Sequence, residues 1–228
     1  MQMTDLRAIR GVSECDLTDE IVASLPASAP PAPWDATCTA IMWGARAPRA
    51  AVEAAGVEVV GAGKIVAVIG GFVSYSSTPV GTYHEVLGAV GVRNGRAVVG
   101  TVPFMAVDLV DSLVGGRANW ALPKTLASFT GEPASGAALS ARGPGWTVRA
   151  KARVFGPPLP APMKGRIAQV WPDGIVRASQ SGGKARMSMA VVNLEVESTG
   201  NLAEWLRPGR HLGVLMKGSF NLSEATPL

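Results

Sequence analysis

Cysteine and histidine are nearly absent from this chain of 228 residues, which holds two of each: Cys15 and Cys38, His84 and His211. Two cysteines build neither a disulfide framework nor a thiolate metal cage. Two histidines leave little material for a Ser-His-Asp triad or a multi-histidine metal centre. No metal and no cofactor is therefore expected. Charge is also scarce, at 17% of residues against roughly 25% in average globular chains. The longest apolar run, Ile65 to Tyr75, falls short of the ~20 residues that span a bilayer. The N-terminal stretch MQMTDLRAIRGVSECDLTDE carries acids where a secretory signal needs an apolar core. A cytoplasmic protein with no membrane partner is expected. If it is a catalyst, Lys, Glu, Asp, Arg or Tyr must do the work.

Apolar residues make up 47% of the chain, enough for a sizeable core and too many for disorder. Glycine (27) and proline (17) are abundant and scattered, which predicts many turns. Residues 18–25 read as a short helix started by Thr18 or Asp19 and stopped by Pro26. The Pro-rich stretch 26–34 reads as an extended connector. A strand over 37–43 and a helix over 49–55, closed by Gly56, follow. Apolar, β-branched runs at 65–75, 83–92 and 97–107 read as strands. Asn94-Gly95 between two of them signals a hairpin. Residues 108–114 read as a helical turn closed by Gly115-Gly116. Further strands are expected near 165–171, 175–179, 185–196 and 214–220, and a short helix at 201–206. The pattern predicts one domain over 1–228, with 1–35 as an N-terminal helix and connector. Its class is α+β, mostly β, as a closed or nearly closed antiparallel barrel with a few short peripheral helices.

Basic residues gather late: residues 134–228 hold 12 basic and 5 acidic side chains. Residues 146–154 (WTVRAKARV) alternate cleanly, with Trp146, Val148, Ala150, Ala152 and Val154 on one face and Thr147, Arg149, Lys151 and Arg153 on the other. That is a half-buried strand with a wet basic face. The basic excess reads as solvated strand surface, and no nucleic-acid partner is expected.

Lys124 is the one charged residue between Arg117 and Glu132, with Trp120, Leu122, Leu126 and Phe129 around it in sequence. Burial there would pull its amine toward neutrality, and only a neutral amine attacks a carbonyl. The plainer reading is a lysine that packs its stem and keeps its head in water. Glu85 lies in Thr82-Tyr-His-Glu-Val-Leu87, where strand alternation groups Tyr83, Glu85 and Leu87 on one face. Desolvation there would suit a general acid/base; the plainer reading is a structural carboxylate. Ser181-Gly-Gly-Lys184 and Gly61-Ala-Gly63 lack the surroundings of a nucleophile or phosphate-binding motif. The former reads as a turn. His84 points opposite to Glu85, toward solvent or local partners. Met42, Met105, Met187 and Met189 read as core filler.

Tyr83-x-Glu85 followed by Gly116-Arg117-x3-Ala121-Leu122-Pro123-Lys124 resembles the acetoacetate decarboxylase superfamily. Pro103-Phe-Met105 and Gly218-Ser-Phe220 add to the likeness, which covers roughly residues 36–222. The resemblance implies a cone-like antiparallel β-barrel with an apolar cavity, and a lyase in which Lys124 forms a Schiff base with a small oxo acid. Glu85 would shuttle protons, Tyr83 would orient Glu85, and Arg117 would bias the lysine or hold a carboxylate. Trp120, Met105 and Thr125 would complete the substrate site. Decarboxylation of a 3-oxo acid comes first among the implied reactions. Aldolase-dehydratase or cyclase chemistry on pyruvate or another 2-oxo acid follows, and a non-catalytic ligand-binding barrel is the third reading. A homo-oligomer is also implied. Three positions depart from the family: Thr125 stands where decarboxylases carry a second lysine, Cys38 near the place of an upstream arginine, and Gly70 near that of a second glutamate.

Overall fold

A computed structural model describes residues 6–56, 59, 61, 63–95 and 97–228. Four consecutive strands form its backbone: β1 (Trp34–Ala45), β2 (Lys64–Ser77), β3 (Tyr83–Asn94) and β4 (Ala97–Val107), each antiparallel to the next. The hairpin that the sequence predicts joins β3 to β4, with Asn94 paired to Ala97 and Gly95 at φ 59° in the turn that follows. Short helices α1 (Asp19–Ala23) and α2 (Ala50–Ala55) flank β1. The Thr18 hydroxyl caps α1 by accepting from the Ile21 amide at 3.3 Å.

Helix α3 (Val110–Trp120) leads into β5 (Lys124–Leu126), which adds in parallel to β4. The sequence reading ends this helix at Gly115-Gly116, but the helix runs through both. Those glycines mark close packing. A Cβ at Gly115 would lie 2.4 Å from the Trp34 ring, and one at Gly116 would lie 2.5 Å from Lys124 Cδ.

Strands β6 (Ser128–Thr130) and β7 (Ala138–Gly143) then pair as a hairpin. The four late segments read from sequence include parts of two very long strands, β8 (Trp146–Val170) and β9 (Val176–Ser198). The prolines at 157–162 break the sequence signal because proline donates no ladder bond. The fold absorbs them with a register shift between Phe155 and Leu159. Ser181–Lys184 is ladder within β9 and not a turn. Helix α4 (Leu202–Trp205), β10 (Gly209–Leu222) and β11 (Thr226–Pro227) complete the chain.

Pairings run β8–β9–β10–β1–β2–β3–β4 and return to β8 through one parallel pair, Gly100 with Ile167. This is a mostly-β ring of strands with a few short helices. Alternation gives the ring two faces. One carries Ile41, Trp43, Phe72, Val86 and Phe104 into a core with Trp146, Val148 and Trp205. The other face encloses a cavity. No described helix is long and apolar enough to cross a membrane.

Candidate active site

The cavity measures about 510 Å³ and is walled mainly by apolar side chains, among them Val73, Leu87, Val102, Leu122 and Met216. Lys124 and Glu85 reach it from different strands, and both are buried. Lys124 arrives by a tight reversal after α3. Ala121 adopts a left-handed φ of 51°, and its amide and that of Leu122 donate back to the carbonyls of Arg117 and Gly116. Such a cap closes a helix end. Gln169 pins the reversal: its Nε2 donates to the Ala121 carbonyl, and its Oε1 accepts from the Val102 amide. The register then sets Lys124 beside Met105 on β4.

Lys124 Nζ lies 2.9 Å from Glu85 Oε2 and donates to Ser112 Oγ at 2.9 Å. It also sits 5.1 Å from the centroid of the Tyr83 ring. Burial pulls this amine down, but the Glu85 carboxylate and the Tyr83 hydroxyl outweigh it, so the amine is held above its ordinary value. The expected lowering is thus reversed in the resting site. Desolvation acts as the sequence implied, and an adjacent anion overrides it.

Tyr75 donates to Glu85 Oε1 at 3.1 Å. Tyr83, the residue expected to orient Glu85, instead neighbours Ser112 and Lys124, with its ring stacked on Tyr75 at 4.4 Å. Burial raises both phenols, Tyr75 strongly. Tyr75 and Ser112 escaped the sequence reading. The signal for Tyr75 was present: folding the 65–75 and 83–92 runs onto one another pairs Tyr75 with Tyr83. Ser112 carried none, because its contact with Lys124 is made only when the chain reverses after α3 and brings the two together.

Arg117 has a different task from the one expected. Its three guanidinium nitrogens donate to the carbonyls of Lys124, Leu6 and Cys15, each at 2.6 Å. Burial lowers it to about 10. It ties the N-terminal segment to the backbone of Lys124 and does not line the cavity. Thr125 does not line it either. It pairs with Ala106, whose side chain faces the opposite core, so strand alternation turns Thr125 away from Lys124. Trp120 and Met105 do line the cavity. Cys38 lines it too, its thiol pushed up to about 11 by burial and by the Glu85 charge. His84 faces the other way, between Asp108 and Glu132 at 2.7 Å each. Among the described residues no group of His, Cys, Asp and Glu could hold a metal ion.

The family model for acetoacetate decarboxylase (ADC) matches residues 24–156. The chain belongs to this family. A search of curated protein sequences finds no match. Among solved structures, the acetoacetate decarboxylase of Legionella pneumophila is 14% identical with a TM-score of 0.63, covering 90% of this chain and 92% of that one. The enduracididine biosynthesis enzyme MppR, complexed with pyruvate, is 12% identical with a TM-score of 0.63, covering 88% and 92%. An acetoacetate decarboxylase-like enzyme from Sphingomonas wittichii is 14% identical with a TM-score of 0.60, covering 86% and 92%. At such identities the likeness to solved structures speaks for the acetoacetate decarboxylase fold alone.

Proposed function

We propose that this acetoacetate decarboxylase family member is a lyase that forms a Schiff base between Lys124 and an oxo acid. The observation that supports this most is the Lys124–Glu85 pair at 2.9 Å inside an apolar cavity. An ion pair so placed is costly to keep. Moving one proton from Lys124 to Glu85 leaves a neutral amine and a neutral acid, the forms that burial favours.

The neutral amine adds to the ketone carbon, Glu85 gives its proton to the departing hydroxyl, and loss of water leaves a protonated imine beside the Glu85 carboxylate. With a 3-oxo acid, the bond to the carboxyl carbon breaks, CO2 leaves, and the electron pair passes into the imine to give an enamine. Glu85, reprotonated from solvent, delivers a proton to the enamine carbon, and water then releases the ketone and restores the Lys124 ammonium. Tyr75 steadies the Glu85 oxygen it donates to, and Ser112 holds the amine.

Borohydride reduction with acetoacetate should leave a stable adduct on Lys124, located by peptide mass, and Lys124→Met should abolish it. Absence of an adduct with any of a panel of 3-oxo and 2-oxo acids would refute the proposal. A 2-oxo acid that traps where 3-oxo acids do not would favour aldol or dehydration chemistry. The raised Lys124 amine is the one observation that favours a binding protein without turnover, because a charged amine does not attack.

A further inference from the structure

We propose that the cavity is built for an oxo acid whose ketone carries an extended apolar substituent, lying in a channel along the cavity face of β3 and β4. This rests on the reading of Lys124 above, which puts the ketone at the closed end. The cavity is deep. Glu85, Leu87, Ala89 and Gly91 of β3 all line it, and six residues of strand span about 20 Å. On β4, Met105 stands beside Lys124, while Gly100 lies five residues away at the open end, about 16 Å along the strand. A volume of about 510 Å³ lies within the roughly 300–1,000 Å³ of sites for drug-sized ligands, well beyond what a four-carbon acid fills. Glu85 and Lys124 occupy the closed end, and the remaining charged side chains among the described lining residues are Lys164 and Arg166, both exposed. The wall between is uncharged.

Two glycines keep that wall open. Gly91 and Gly100 are paired across the β3–β4 ladder. A Cβ at Gly91 would meet nothing nearer than 3.6 Å, and one at Gly100 nothing nearer than 3.7 Å, and neither residue has a positive φ. Packing and backbone therefore do not require glycine at either place. Gly70 and Gly88 differ: a Cβ there would fall 2.3 Å from the Trp43 ring and 2.6 Å from the Trp205 ring. The missing side chains at 91 and 100 leave room in the channel, and valine, which suits a strand, would fill it far from the amine.

Borohydride trapping on Lys124 with acetoacetate and with 3-oxodecanoate, at equal low concentration, tests this. The wild type should trap the longer acid at least about tenfold better, since each buried methylene adds to binding. Gly100→Val should lose that preference and keep its acetoacetate trapping; Gly91→Val serves if the first variant does not fold. Equal trapping of both acids by the wild type, or a variant that loses both alike, overturns the inference. No adduct with either acid, nor with any of the 2-oxo acids, overturns the imine reading instead. In that case decanoate binding, followed by the fluorescence of Trp34 and Trp120 in the cavity wall, decides the channel alone. Binding that weakens about tenfold in Gly100→Val supports it, and no binding to the wild type overturns it.

Discussion

Replacing Glu85 by Gln leaves the Lys124 ammonium buried without its anion. Both side chains are almost wholly enclosed, at 4% and 3% exposure, and the pair is 2.9 Å apart. Ser112 and the Tyr83 ring remain as the ammonium's polar neighbours. Breaking one partner of such a pair costs about 3–5 kcal/mol. In a domain of this size that lowers Tm by roughly 6–20 °C at neutral pH. The pH dependence carries the sharper signature. In the wild type the Lys124 amine is held above its ordinary value, so its contribution is complete at neutral pH and is lost only as pH climbs through that raised value. In Glu85→Gln burial dominates and drops the amine below its ordinary value. The unfolded chain then binds the extra proton, and stability rises with pH up to the ordinary lysine range. Thermal melts from pH 6 to 9 should therefore be steeper in the variant than in the wild type, with the variant gaining at high pH. Acylation of Lys124, followed by peptide mass, should move to lower pH in parallel. The double variant Lys124→Met/Glu85→Gln removes both charges and should be more stable than Glu85→Gln alone. A double variant whose losses simply add, with melts parallel to the wild type, would refute the buried-pair reasoning.

Gly116→Ala places a methyl 2.5 Å from Lys124 Cδ and should cut borohydride trapping by about 100-fold through displacement of the amine, with far-UV spectra unchanged. Arg117→Lys leaves at least two of three buried carbonyls without a donor, at about 1–3 kcal/mol each. Hydrogen exchange over residues 6–15 should rise accordingly. Burial lowers His84, but the hydrogen bonds and charges of Glu132 and Asp108 together outweigh it and hold the imidazole above its ordinary value. Its contribution is present below the ordinary histidine value and is lost as pH rises through the raised one. His84→Gln should flatten the wild-type fall in stability between pH 6 and 8.

Strand positions and the β3–β4 hairpin were legible because each rests on local pattern. Alternation over Trp146–Val154 places Trp146, Val148, Ala150 and Ala152 in the core as read. Lys124 stood out because charge is scarce around it, Glu85 because alternation groups it with Tyr83 and Leu87, and the family resemblance joined the two. What escaped was set by contacts distant in sequence. Gly115 and Gly116 read as a helix stop, and only the Trp34 ring and the Lys124 stem explain them. Arg117 read as a site cation because nothing local announces that the carbonyls of Leu6 and Cys15 return to meet it. The amine's direction was misjudged for the same reason: burial is written in the neighbouring residues, whereas the opposing carboxylate arrives from another strand.

The three departures from the family pattern now separate by place. Thr125 faces the opposite core, and Gly70 lies against Trp43 on that same face. Cys38 alone enters the cavity, close enough to Glu85 for the carboxylate to raise its thiol. A cation at position 38 would therefore compete with Lys124 for Glu85 and repel the ammonium, and both effects favour the neutral amine. Cys38→Arg should move Lys124 acylation to lower pH and raise acetoacetate trapping, while Cys38→Ser, which adds no charge, should do neither. An unchanged acylation profile in a folded Cys38→Arg protein would mean that Glu85 does not govern the lysine, and the proton exchange proposed for the pair would fall with it.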